Sequence, residues 1–511
     1  MTDEQQFHEE NQAHQQKKSR RTKQRQEVTN SADWFDAELV GEAKPSRLSA
    51  VIFFAVCAVA IFAVVAYGAV DVWALGLTSI FVGAIAVLWL ADGWMKREFV
   101  FDSSVLQLPL LGLIAVGLIQ LLPLRASNIS NDLLNIPAVE SLSLAPYLTR
   151  LAVGQLILYF VFFAAALAFI NNEKRLRKTV LTVIIFGAFG AFFGILQRLA
   201  GGNSIYGLRD TDQAITFASY INQHHFAALM EMTAGLTLAL LFGNATKKDK
   251  RIFLIAAAIV MGMALVFTGS RGGLISFVAV LGFIVAANAL NKQNAGKSAE
   301  DEDDGGGDRS EKSSGFRRSF TLVIGGLALI LGLFGAVLIL GGDQSVLRGI
   351  GLQATQNGDV SNGRLYFWSV AVKIISDFPL LGGGLDAFGI AFTRYDTTNG
   401  ALRVEQAHND YLQILADAGI AGFACVAAFI FLLFKKGLRV VAKSSDNFRR
   451  SVAVGALAGC FGILIHSLFD FPLRTPANGY FFLILATLAT ASINYPKLYK
   501  KQRRRKTEDR I

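Results

Sequence analysis

The sequence predicts an all-α polytopic membrane protein of about 12 transmembrane helices, with the N and C termini both cytoplasmic. Three observations carry that expectation. Of 511 residues, 53% are hydrophobic and only 17% charged, with a mean hydropathy of +0.43. Apolar runs of roughly 18–22 residues, long enough to cross a bilayer, recur along most of the chain. The basic residues gather in the tails and in alternate connections, as the positive-inside rule requires. The net charge of +10 is therefore a matter of topology, and no nucleic-acid partner is expected.

In chain order, segment 1–47 is polar and basic and reads as a disordered cytoplasmic tail. It is too long for the n-region of a cleavable signal peptide, and none is expected. Segment 48–290 accommodates spans near 48–70, 72–91, 105–122, 151–170, 179–199, 225–243, 252–268 and 273–290. Segment 291–319 sets Asp301-Glu302-Asp303-Asp304 beside three glycines, a composition that stays solvated as a cytoplasmic linker. A ninth span is expected at 320–340, followed by a long outer loop over 341–419. Segment 420–493 then supplies spans near 420–434, 452–468 and 480–493, and 494–511 is a basic cytoplasmic tail. Cys57, Cys425 and Cys460 lie in apolar runs, so neither disulfides nor a zinc site is indicated.

The two sets of connections differ in chemistry. One carries lysine-rich clusters such as Lys247, Lys248, Lys250 and Arg251, and is assigned to the cytoplasm. The other is basic almost only through arginine, including Arg209, Arg271, Arg348, Arg364 and Arg474, with Lys373 as its one lysine. A guanidinium fork matches phosphate oxygens and keeps its charge when desolvated, which points to an anionic ligand. Topology with snorkelling arginines accounts for the same pattern without a ligand.

Loop 341–419 concentrates the polar residues capable of chemistry. Arg271, in Thr268-Gly269-Ser270-Arg271-Gly272-Gly273, sits at the outer junction of two spans, where a charge needs a partner or a function. Arg364 opens an expected amphipathic helix, 365–377, with Leu365, Trp368, Ala371, Val372 and Ile375 on one face. A base at a helix start opposes the dipole, so a ligand role explains it better than helix stability does. His408 precedes a second helix that Asn409 or Asp410 can cap, and its position favours the neutral imidazole that serves as a general base. A lone loop histidine is the plainer reading; the arginines around it raise the functional one. The polar residues of Asn222-Gln223-His224-His225 and of His466 to Asp470 are expected to wall the same cleft. Their histidines lack the spacing that would fix a metal.

Together these motifs resemble the O-antigen ligase and polymerase superfamily of bacterial membrane glycosyltransferases. The resemblance rests on Gly269-Ser270-Arg271-Gly272, Asn362-Gly363-Arg364, Pro379-Leu380-Leu381-Gly382-Gly383-Gly384 and His408-Asn409-Asp410-Tyr411-Leu412. It draws further on Asn222 to Ala227 and on His466 to Asp470, and covers roughly 179–470. It implies a multi-pass protein of the bacterial inner membrane with its active site facing the periplasm. It implies a glycan donor on undecaprenyl diphosphate, and inverting, metal-independent transfer to an acceptor hydroxyl without a cofactor. Lipid A–core is the acceptor in a ligase, a lipid-linked repeat unit in a polymerase, and a protein hydroxyl in related enzymes; the ligase is preferred here. Family roles fall on Arg271 and Arg364 as diphosphate binders and on His408 as base, with Arg209, Asn222, His225, Tyr411 and Asp470 as substrate-binding candidates. The long N-terminal tail and the acidic linker depart from a minimal member. A secondary transporter shares the span count, but it places polar sites at the midplane and often shows repeats, which this chain lacks. A non-catalytic envelope scaffold is the third class.

Overall fold

The computed structural model describes residues 46–126, 139–201, 204–211, 215–300, 331–350, 363–400 and 403–491. The chain is an all-α polytopic membrane protein. Among the described residues, nine helices are long and apolar enough to cross a membrane. They are α1 (Arg47–Val65), α2 (Val72–Lys96), α4 (Pro146–Phe169), α5 (Glu173–Leu199), α6 (Gln223–Phe242), α7 (Arg251–Phe267), α8 (Arg271–Glu300), α12 (Asp410–Lys443) and α13 (Asn447–His466). Two shorter apolar helices, α3 (Gln107–Gln120) and α14 (Pro476–Thr490), coincide with two further expected spans. The expected span 320–340 is helical over 331–339, and its first half lies outside the described residues, as do most of both tails and of the acidic linker. Among the described residues, three short α-helices lie between spans: α9 (Asp343–Gly349), α10 (Arg364–Asp377) and α11 (Phe388–Tyr395). Strands β1 (Arg125–Ala126) and β2 (Val139–Glu140) pair antiparallel and are tied by an Arg125–Glu140 ion pair at 2.8 Å.

One boundary and one helix face differ from expectation. Helix α8 continues to Glu300, past the expected end at 290. The apolar run sets the membrane-crossing part of a helix but does not stop the backbone, and the helix runs on through Gly296 with no proline in 291–300 to end it. Helix α10 forms as expected, but Val370, Ala371 and Ile374 are its buried residues, whereas Leu365 and Val372 are exposed. The aromatic rings decide the face: Phe367 packs on Phe392 at 6.2 Å, and Trp368 donates to the Ala407 carbonyl at 3.0 Å.

Helices α6 and α13 form the buried centre of the bundle. Gly455 and Gly459, four residues apart on α13, let the two backbones touch. A Cβ on Gly459 would lie 2.8 Å from the Met232 carbonyl oxygen, and one on Gly455 would lie 2.7 Å from Leu236 Cα. Small residues at this spacing are the usual means of close helix approach in a membrane. The approach brings Glu231 of α6 against His466 of α13.

Helix α12 is broken at Gly419, whose φ of 61° and ψ of −163° lie outside the helical region. The backbone groups freed by the break are taken up by the turn 379–384. Gly383 N–H donates to Ala416 O (2.8 Å), Gly384 N–H to Asp417 O (3.0 Å) and Ile420 N–H to Pro379 O (2.9 Å). The Gln120 amide donates to Asp417 O at 2.8 Å from a third element. Gly382, at φ +72°, approaches so closely that a Cβ there would lie 2.3 Å from the Asp417 carbonyl carbon. Gly382→Ala is therefore expected to cost about 2 kcal/mol or more, from a left-handed backbone and a backbone clash together. Thermal unfolding of the purified variant in detergent checks this.

Candidate active site

The N-termini of α6, α8, α10 and α12 and the C-terminus of α13 meet at one end of the bundle. The lysine-bearing ends of α2 and α12 lie at the other. Helix α8 starts directly after the turn Thr268-Gly269-Ser270, in which Gly269 takes φ +60° and Ser270 Oγ accepts from Gly273 N–H at 3.1 Å. This turn places Arg271 at the first helical position, where its Nε donates to the Arg348 carbonyl of α9 at 3.2 Å. Gln223, with its amide oriented to satisfy both neighbours, donates to Thr268 O (2.8 Å) and accepts from the Arg348 guanidinium (3.2 Å). Burial, followed by the charge of Arg198, pushes the Arg348 pKa down. An anion beside it would offset both effects.

Arg364 begins α10 after Gly363, which takes φ 79°. Its guanidinium lies 3.7 Å from Asp470 Oδ2. The other oxygen, Asp470 Oδ1, lies 3.1 Å from His408 Nδ1. Asp470 is thus the hinge between the arginine cleft and the imidazole. Burial alone would raise its pKa, but the His408 hydrogen bond and the charges of His224 and His225 outweigh burial and hold it far below the usual aspartate range. By linkage, a depressed carboxylate stabilises the fold above its unfolded pKa near 4, and that contribution is lost only as pH falls through the folded value. The carboxylate therefore persists across any working pH.

His408 is held in an unusual conformation, with φ at 51°. The Asn409 side chain caps α12 by accepting from Tyr411 N–H (3.0 Å) and Leu412 N–H (3.1 Å). Asn409 also donates to Leu468 O (3.1 Å), and Asp410 N–H donates to Ser467 O (2.9 Å). These bonds lock the start of α12 to the end of α13, so His408 and Asp470 face each other although 62 residues separate them. Phe471 stands edge-on to the His408 ring at 4.8 Å, and Phe367 flanks it at 5.9 Å. A carboxylate on Nδ1 makes that nitrogen the donor and leaves Nε2 able to accept a proton. Asp470→Asn is expected to lower turnover about 10–100-fold, with the fold intact by circular dichroism and melting temperature.

The cleft is lined by Arg271, Arg348, Arg364, His224, His466 and Asp470, with Ser270, Phe469, Gly269 and Gly272 completing the wall. Three guanidiniums against one lining carboxylate leave an excess of two positive charges before the histidines are considered. An apolar groove of about 250 Å³ lies between α7, α8 and the 331–339 helix, lined by Val266, Leu274, Phe277 and Leu333. Gly349 and Ile350, which follow Arg348 in sequence, also line it.

Of the residues singled out by sequence, Arg271, Arg364 and Asp470 line the cleft, and His408 adjoins it through Asp470. His225 adjoins the lining residue His224; its own ring pairs with Thr475 Oγ1 at 2.7 Å and meets Phe471 edge-on at 4.7 Å. The Asn222 side chain caps α6, accepting from His224 N–H at 2.8 Å. Tyr411 braces α12 on α13 by donating to Leu464 O at 2.8 Å. Arg209 lies away from the cleft, paired with Asp71 and 5.3 Å over the Tyr67 ring. Asn362 falls outside the described residues. Tyr366, whose hydroxyl donates to Asp396 at 2.6 Å, packs with Phe367 against the loop's own core, and Trp368 is held by the Ala407 carbonyl. Sequence reading counted Arg348 only among the outer arginines and passed over Glu231. The signal for Glu231 is that it is the one acid in the span Gln223–Phe242.

These features define a multi-pass membrane protein with an arginine-lined cleft and a histidine–aspartate pair at one end of its helix bundle. Residues 256–427, from α7 to the middle of α12, match the Wzy_C family model, described as O-antigen ligase. Over these residues, about a third of the chain, the protein is similar to the O-antigen ligase family. The match takes in Arg271, Arg348, Arg364 and His408 and stops short of Asp470. Comparison with curated proteins gave no match.

Proposed function

We propose that the protein is a ligase that transfers a glycan from undecaprenyl diphosphate to a hydroxyl of lipid A–core, at the periplasmic face of the bacterial inner membrane. The observation that carries this reading is the meeting of Arg271, Arg348 and Arg364 with the His408–Asp470 pair. The acceptor hydroxyl gives its proton to His408 Nε2, and its oxygen attacks the anomeric carbon opposite the diphosphate. The anomeric carbon–oxygen bond breaks, its electron pair leaves on the diphosphate, and the sugar inverts. The arginines stabilise the charge that gathers on the leaving group and need no reorganisation to do so. Asp470 keeps the imidazole in the useful tautomer and balances the imidazolium that forms. The apolar groove beside Arg348 suits the prenyl tail, since an amphiphile with an anionic head needs both surfaces contiguous.

A repeat-unit polymerase would use the same donor chemistry with a lipid-linked acceptor. An envelope-glycan gel from a deletion strain complemented with wild type or His408→Ala decides between them. Core without ladder in the variant, with lipid-linked polymer accumulating, supports the ligase; core bearing a single repeat unit indicates the polymerase. Wild-type ladders from a normally expressed variant overturn the assignment of His408.

A further inference from the structure

A second carboxylate–imidazole pair lies behind the cleft, and the mechanism above does not use it. His466, the last residue of α13, is 1% exposed, and its Nδ1 lies 2.8 Å from Oε1 of Glu231, which is fully buried. Glu231 sits roughly 12 Å along α6 from that helix's start, well inside the apolar bundle. Its second oxygen, Oε2, has no hydrogen-bond partner among the described residues. A carboxylate at such depth is costly, and intramembrane acids as a rule serve a function. The glycine approach of α6 and α13 at Gly455 and Gly459 is what brings the pair together.

The opposite edge of the His466 ring faces the ligand space. His466 is part of the cleft wall, and a Cβ on Gly272 would lie 3.1 Å from its Nε2 and 2.9 Å from its Cδ2. Gly272 directly follows Arg271, so Nε2 reaches the wall where the arginines gather. Glycine at 272 is what leaves room for the ring.

We propose that Glu231 is a positioning residue that holds His466 as a hydrogen-bond donor to a phosphate oxygen of the lipid-linked diphosphate. This rests on the ligand class proposed above. With Nδ1–H donating to Glu231 and Nε2–H to phosphate, the ring is an imidazolium whose charge Glu231 balances. The carbonyl end of α13 complements that charge. His466 thus adds a fourth cationic donor to Arg271, Arg348 and Arg364, and it is fixed by a group that never touches the ligand. A neutral spacer in place of the carboxylate removes the balance and the orientation together.

The test uses the full chain in lipid nanodiscs and measures equilibrium binding of farnesyl diphosphate, with no glycosyl transfer involved. Glu231→Gln and His466→Gln are each expected to weaken binding about tenfold, and the double variant to lose no more than either alone. Glu231→Asp, which keeps the charge but shortens its reach, is expected to fall between Gln and wild type; it carries the test should either Gln variant fail to fold. Wild-type affinity in Glu231→Gln or Glu231→Asp, with Arg271→Ala still weakening binding, overturns the role of the pair and leaves the diphosphate cleft standing. Additive losses in the double variant overturn it as well. Wild-type affinity in Arg271→Ala instead sinks the diphosphate reading itself.

Discussion

His408→Ala is expected to lower glycan transfer by about 10²–10⁴-fold while leaving donor binding near wild type. The imidazole is not among the residues that line the cleft and adjoins it through Asp470, so removing it takes away the proton acceptor and leaves the arginines in place. The expected signature is a fall in kcat with little change in KM for the lipid-linked donor. His408 also takes a left-handed backbone, which alanine supports at a modest cost. A melting curve separates that cost from the chemical one. His408→Asn tolerates the backbone better and lacks the base, so equal losses in both variants assign the effect to proton transfer.

Arg271→Lys is expected to be nearly as damaging as Arg271→Ala, with a loss of about 10²–10³-fold in kcat/KM. Lysine keeps the charge but gives up the planar fork. Arg271 spends its Nε on the Arg348 carbonyl, which fixes the plane of the guanidinium at the start of α8. A lysine ammonium cannot hold that carbonyl and present a planar pair of donors at the same time. Steady-state transfer with purified protein, read at several donor concentrations, checks this. Retention of most activity by the lysine variant would mean that charge alone is needed there.

Much of the architecture was legible from sequence because hydropathy acts locally. Eleven expected spans fall on helices, and the Asn409 cap before α12 was readable from residue type and position. The change of structure at 418–420 was legible as a boundary between loop helix and span, and it takes the form of a break at Gly419 within one continuous helix. The face of α10 was not, because the packing of Phe367 and Trp368 against residues 392 and 407 outweighs simple helical spacing.

The site was legible in part for the same reason. Arg271, Arg364 and His408 stand out because each lies at or just before a helix start, where a basic residue opposes the helix dipole. Asp470 was expected to wall the same cleft, but its bridging of Arg364 and His408 depends on contacts across 106 and 62 residues of chain (470 − 364 and 470 − 408). The pairing of Glu231 with His466 depends on the glycine contact between α6 and α13, which no local pattern displays. Arg209 carries the same residue type as the cleft arginines, yet its partner Asp71 lies 138 residues away in sequence and takes it elsewhere.

The central claim is that the arginine cleft and the His408–Asp470 pair together break a polyprenyl-diphosphate glycan bond. Release of undecaprenyl diphosphate from a purified lipid-linked glycan donor in nanodiscs, with acceptor present, measures this directly. The predicted result is acceptor-dependent release by wild type and a loss of at least about 10²-fold in folded His408→Ala that still binds donor. Release at the wild-type rate by that variant would contradict the account.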